Sequence, residues 1–349
     1  MSSPSKKEKI DKLDGINAED LINIDKELRP SRFEEYVGQQ NIKDNLSVLL
    51  SAAKERNHSP EHLLFYGPPG LGKTTLAHLV GKQTGSPVRS TSGPAIERVA
   101  DLASILTNLA PGEILFIDEI HRLNKAIEEV LYPAMESQSL DIIIGKGPSA
   151  RTIELPLPPF TLIGATTRIA MVSSPLRSRF SGGVFRLDFY TEEEIAEIVK
   201  RSAKILGVKM NDETSKAIAK RARFTPRTAN FLLKRVRDFS QVKKKELSED
   251  TVHEALTMLG VDDMGLFPSD RLLLSNIIEK FSGGPVGLNT LAAAMSEDED
   301  SLEEFNEPYL IQIGFLDRTP RGRIATEKAE EHMKKHGVTS SKKRTKKLI

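Results

Sequence analysis

The chain has 349 residues, no cysteine, 28% charged side chains and a formal net charge of +1. Its length allows two or three domains with separate cores, while the missing cysteines exclude a disulfide framework, a thiolate metal centre and a cysteine nucleophile. A near-neutral balance excludes a global field for nucleic acid, so such a partner would be met by a local basic patch; no apolar run approaches a membrane span, which points to the cytoplasm.

In chain order, residues 1–27 read as a polar, lysine- and aspartate-rich flexible leader with at most one short helix at 18–24, and the first residues lack the apolar stretch of a secretory signal. Residues 28–189 are α/β in pattern. Apolar runs at 63–66, 114–117, 160–165 and 184–189 alternate with helical periodicity at 40–56, 73–84, 97–109 and 124–137, as a parallel sheet with crossover helices requires. Residues 190–261 carry only helical periodicity, with apolar positions three to four apart, as at Ile195, Ile198 and Val199. Residues 262–332 change again, to short helices at about 269–281, 287–295 and 301–313, then a Gly/Pro/Arg turn between two extended segments. Residues 333–349 close as a basic tail.

Residues 67–74 spell G-P-P-G-L-G-K-T, a complete phosphate loop between an apolar strand and a helical pattern. Gly70 and Gly72 let backbone N–H groups curl around an anion, and the following helix offers its positive end to the same phosphates. Lys73 is expected on the β/γ-phosphates, Thr74 on Mg²⁺, and Thr75 as a further donor. The chain therefore binds a nucleoside triphosphate. A second apolar strand ends in Asp118 and Glu119. In the same α/β unit as a phosphate loop, Asp118 suits Mg²⁺ and Glu119 suits the water that attacks the γ-phosphate, the pairing a hydrolase needs.

Residues 140–156 read as a β-hairpin turning at 145–149. Its run Ile142-Ile143-Ile144 carries more apolar surface than a solvated hairpin needs, so either a partner covers it or it packs on its own sheet. Arg318, Arg321 and Arg323 place three guanidiniums on the late Gly/Pro turn, which suits either phosphate oxygens or a solvated basic turn.

The order of GPPGLGKTT (67–75), LFIDEIHRLN (115–124), LYPAME (131–136), PPFTLIGATTR (159–168), SPLRSRF (174–180) and TPRTANFLLKRVRDF (225–239) resembles the AAA+ ATPases. Within them it resembles the RuvB family of Holliday junction branch-migration motors, over about residues 28–332. The resemblance implies an AAA+ ATPase domain with a parallel sheet at 28–189, a helical lid at 190–261 and a winged-helix DNA-binding domain at 262–332. Thr166, rather than Thr167, matches the sensor that orients the attacking water. Arg179, rather than Arg177, matches the arginine finger given to a neighbouring subunit, and Arg227 matches the second sensor on the lid. Leu28, Arg29, Tyr36, Val37 and Tyr190 match nucleotide-side positions. The implied cofactors are ATP and Mg²⁺. The implied partners are duplex DNA at a four-way junction, RuvA docked on the 140–156 hairpin, RuvC in the resolving complex, and further copies of the chain in a six-membered ring. Two departures stand out: Phe224 occupies the glycine of the family's R-G-T-P-R run, and Ser181-Gly182-Gly183 is one residue longer than usual.

Overall fold

The computed structural model describes residues 28–144 and 151–338, which fall into two compact units, 29–190 and, with Leu28, 191–338. In the first, α1 (Gln40–Glu55) leads to β1 (Leu63–Tyr66), α2 (Lys73–Thr84), β2 (Val88–Ser92), α3 (Val99–Thr107), β3 (Ile114–Asp118) and α4 (Lys125–Glu136). Strands β4 (Ser139–Ile144) and β5 (Arg151–Pro156) pair antiparallel as a separate two-stranded sheet, and β6 (Thr161–Thr166), α5 (Ser174–Ser178) and β7 (Gly183–Arg186) follow. The main sheet is parallel in the order β2-β3-β6-β1-β7. β1, β3 and β6 are apolar along almost their whole length because helices cover both faces of a parallel sheet. Leu64, Leu115, Ile117 and Leu162 meet α3 and α4 residues such as Leu102, Leu106, Ile127 and Leu131 in one core.

Register decides where chemistry can happen. Tyr66, the last residue of β1, lies opposite Thr166, the last of β6, and Ile117 of β3 lies opposite Gly164. The phosphate loop, Asp118 and Thr166 therefore share the carboxyl edge of the sheet, where open α/β folds bind ligands.

The second unit begins with four helices, α6 (Glu192–Ile205), α7 (Asp212–Ala219), α8 (Pro226–Lys243) and α9 (Glu249–Met258). Each start is chemically marked, since Thr191, Asn211, Thr225 and Ser248 accept an amide N–H of the first turn. Such a cap is worth about 1 kcal/mol. Then come α10 (Pro268–Ser275), extended by a π turn at Asn276–Lys280, α11 (Leu288–Met295), α12 (Glu299–Ser301), a second π turn at Leu302–Asn306, α13 (Glu307–Gln312), the antiparallel pair β8 (Leu316–Thr319) and β9 (Gly322–Ala325), and α14 (Glu327–Lys334). Leu273, Ile277, Leu291, Leu310, Phe315 and Met333 close this core.

Two expectations shift. The strand read at 184–189 stops at Arg186, and Gln39 pins the chain beyond it by donating to the Asp188 carbonyl (2.7 Å) and accepting its N–H (3.2 Å). β2 was not visible as a strand because its residues, Val-Arg-Ser-Thr-Ser, form a half-buried sheet edge without an apolar run. No helix among the described residues is long and apolar enough to cross a membrane. The leader at 1–27, the hairpin turn at 145–150 and the tail from 339 lie outside the described residues.

Candidate functional site

The loop between β1 and α2 is built around its glycines. Gly72, at φ 101°, caps α2, and a Cβ there would stand 2.7 Å from the Tyr36 hydroxyl. No L side chain adopts that conformation cheaply, and this one has no room either. Beneath the loop, the Tyr36 and Tyr190 hydroxyls lie 3.1 Å apart and sit 3.3 and 3.1 Å from the Leu71 carbonyl oxygen. Burial, reinforced by Tyr190, pushes the Tyr36 phenol well above its ordinary value, so it stays a neutral prop. Lys73, Thr74 and Thr75 form the first turn of α2, where unpaired amides and the helix dipole favour an anion. The Lys73 ammonium is buried and donates to the Gly67 and Pro68 carbonyls, both at 2.8 Å.

Across the edge, the Thr74 hydroxyl donates to Asp118 Oδ2 at 3.2 Å, and Asp118 Oδ1 accepts the Glu119 N–H at 3.0 Å. Glu119 takes a left-handed φ of 50°, which turns the chain out of β3. A non-glycine residue holds that geometry at roughly 1–2 kcal/mol, the kind of local cost found at functional sites. Its carboxylate is partly exposed and pairs with Arg122 at 3.3 Å. Thr166 is buried. Its hydroxyl lies 2.9 Å from His121 Nδ1 and accepts the Arg168 N–H at 2.9 Å.

His121 was missed by sequence reasoning, although it stands three residues after Asp118. Burial lowers its pKa; Glu119 opposes this, and Arg168 and Arg122 assist. This hydrogen bond, whose direction follows the ring tautomer, gives the Thr166 hydroxyl a defined orientation.

Arg179 caps the end of α5. Its guanidinium stacks on the Tyr132 ring (4.3 Å), pairs with Glu136 (3.1 Å) and donates to the Pro175 carbonyl (2.7 Å). Tyr132 also lies 3.2 Å from the Ser173 hydroxyl that caps α5. Arg177 is exposed. Arg29 and Val37 lie in the same unit, half-buried. Leu28 groups with the helical unit, where its carbonyl accepts from Arg201. Arg227 occupies the first turn of α8 in that unit and is exposed.

Before Arg227, Arg223 and Phe224 both adopt left-handed φ values, 54° and 55°. Arg223 pairs with buried Asp270 (3.2 Å), donates to the Phe305 carbonyl (2.7 Å) and lies over the Phe267, Phe305 and Tyr309 rings. Phe224 packs on Tyr309. Its benzyl group thus occupies a conformation usually left to glycine and is held there by aromatic contact.

The wing requires a correction. Arg323 is not a surface cation: its guanidinium is buried and paired with buried Glu307 of α13, Nε to Oε1 at 2.6 Å and Nη2 to Oε2 at 3.2 Å. Arg318 lies directly opposite Arg323 on the β8-β9 pair, so the two share a face; Arg323 reaches Glu307 inside the domain, while Arg318 and Arg321 stay exposed. Arg318 is drawn to Glu303 at 2.9 Å. On the hairpin, Ile153 and Leu155 of β5 are exposed, and β4-β5 does not join the main sheet.

Three family models match the chain: the Holliday junction DNA helicase RuvB P-loop domain at residues 28–187, the RuvB AAA lid domain at 190–262 and the RuvB C-terminal winged helix domain at 263–334. A Holliday junction branch migration complex subunit RuvB from Dehalococcoides mccartyi is 57% identical over 315 residues, 90% of each chain. Its counterpart from Chloroflexus aggregans is 53% identical over 328 residues, 91% of this chain and 93% of that one. The solved Thermotoga maritima RuvB Holliday junction branch migration motor superposes with a TM-score of 0.81 at 49% identity, over 88% of this chain and 98% of that one.

Proposed function

The chain belongs to the RuvB family of Holliday junction ATPases, and on that premise we propose that it is an ATP-driven motor moving four-way DNA junctions in the cytoplasm, with an ATPase domain at 28–189, a lid at 190–261 and a winged helix at 262–332. The observation that carries the hydrolytic reading is the 3.2 Å contact between Thr74 and Asp118, a hydroxyl from helix α2 and a carboxylate from strand β3 meeting beside the phosphate loop. That donor pair fits a hard divalent cation, so Thr74 and Asp118 are the residues that would hold Mg²⁺. When bound, the ion neutralises charge on the β- and γ-phosphate oxygens.

The chain's own groups do the rest. Amides of Gly70, Gly72 and the first turn of α2 bind phosphate oxygens, and Lys73 leaves the Gly67 and Pro68 carbonyls for them. Glu119 accepts a proton from the attacking water. Thr166 orients that water, with its hydroxyl fixed by neutral His121. Tyr36 and Tyr190 hold the loop from below, and Leu28, Arg29 and Val37 serve the base side of the nucleotide. Arg179 leaves Glu136 and reaches the γ-phosphate bound by the next copy in a ring, so hydrolysis depends on assembly. Arg227 reads nucleotide state from the lid. Arg321 and Arg318 meet DNA phosphates without reading bases. The apolar face of the β4-β5 hairpin receives RuvA, and RuvC joins in resolution.

The test is ATP-driven dissociation of a synthetic four-way junction, with and without RuvA, for the native chain and Arg179→Ala. Junction movement that needs ATP, rises with RuvA and disappears in the variant supports the proposal. Hydrolysis without junction movement under any of these conditions overturns it.

A further inference from the structure

We propose that Asp262, His332 and His336 form a divalent-cation site, of the Zn²⁺ class, that clips α14 to the linker leading out of the lid. Asp262 is remote in sequence from the two histidines, which stand four residues apart, yet the ligand atoms of all three lie within 4.8 Å of one another. His332 Nε2 stands 2.8 Å and His336 Nε2 3.6 Å from the same oxygen, Asp262 Oδ2. In a tetrahedral zinc site with bonds of about 2.0–2.1 Å, neighbouring ligand atoms are about 3.3 Å apart. The two distances to Asp262 Oδ2 bracket that value and the two imidazole nitrogens lie within 4.8 Å of each other, so side-chain rotations would bring the three groups to three corners. Two nitrogens and one oxygen form the donor set of a borderline cation rather than of Mg²⁺ or Ca²⁺.

The surroundings orient the ligands as a metal centre needs. Asp262 Oδ1 accepts the Met264 and Leu266 N–H groups at 2.9 and 2.8 Å, which fixes the carboxylate and leaves Oδ2 for the site. His332 packs against Phe315, and its ring centroid lies 5.0 Å from that of His336. The side chains of Asp262 and His332 are largely buried, while His336 opens to solvent and supplies an entry path and room for a water as fourth ligand. The opposing charge is Arg271, whose Nη1 is 3.7 Å from Oδ2. It is held by the Leu266 and Gly260 carbonyls at 2.8 and 2.7 Å, so it lowers affinity without filling the site.

The test uses the untagged full chain without nucleotide, titrated calorimetrically with Zn²⁺ and followed by the visible absorption of Co²⁺. The expected result is one ion per chain and a tetrahedral cobalt spectrum. Binding should persist in Asp118→Asn and weaken at least about tenfold in His336→Ala, the lower end of what losing even an outer-shell partner costs. His336 is partly exposed, so the variant should melt like the native chain without metal, and Zn²⁺ should raise the melting temperature of the native chain only. No saturable uptake by the native chain, or equal uptake by His336→Ala and His332→Ala, overturns the proposal.

Discussion

The end of α5 and the wing of the last domain both carry a paired arginine, but they hold it differently. Arg179 rests on the Tyr132 ring, the Pro175 carbonyl and an exposed carboxylate, Glu136. Such an ion pair is worth little, about 0–1 kcal/mol, and can be exchanged for a stronger anion. Arg323 faces Glu307 inside a core, where each charge depends on the other. The guanidinium at the end of α5 has an exposed partner, whereas the one in the wing is buried with its partner. Exposure of the partner, rather than residue type, separates the two.

The largest effect that would sharpen this contrast is on hydrolysis. Arg179→Ala should lower ATP turnover of the assembled protein by about 10³-fold or more, with little change in melting temperature, while Arg177→Ala stays near native. Similar turnover in both variants would remove Arg179 from the site. Next, Arg323→Ala should cost about 3–5 kcal/mol, the penalty for stranding one charge of a buried pair, read by denaturant unfolding. A loss below about 1 kcal/mol would mean that the pair is solvated and the contrast fails. Arg321→Ala should leave stability within about 0.5 kcal/mol and reduce the salt slope of duplex binding by about 1.

The smallest effect concerns His121. Its folded pKa lies below the unfolded value of about 6.5, so the unfolded chain takes up the proton first as pH falls. The stability tied to neutral His121 is therefore complete above about pH 6.5 and is lost as pH drops through that value towards the folded pKa. Comparative melts at neutral and mildly acidic pH should show the native chain losing more stability than His121→Gln.

Much of the edge was readable because its chemistry is local. The loop at 67–74, the Asp118-Glu119 pair and Thr166 each end an apolar strand, and a parallel sheet aligns such ends. Other contacts depend on long separations. Tyr132 meets Arg179, and Glu307 meets Arg323, only after helices and strands pack; nothing in either local pattern marks the partner. β2 was illegible for a related reason, since its polar residues pair with β3 without burying an apolar face.

The sequence by itself determined the nucleotide chemistry and the family, because phosphate binding needs particular residues at fixed short spacings and glycine where no side chain fits. Tertiary structure alone decided which arginine of the wing faces water, what holds Arg179, how His121 reaches Thr166, and that Asp262 meets two histidines seventy or more residues away. Burial and partner choice arise from packing between distant segments, and one-dimensional spacing does not record that packing.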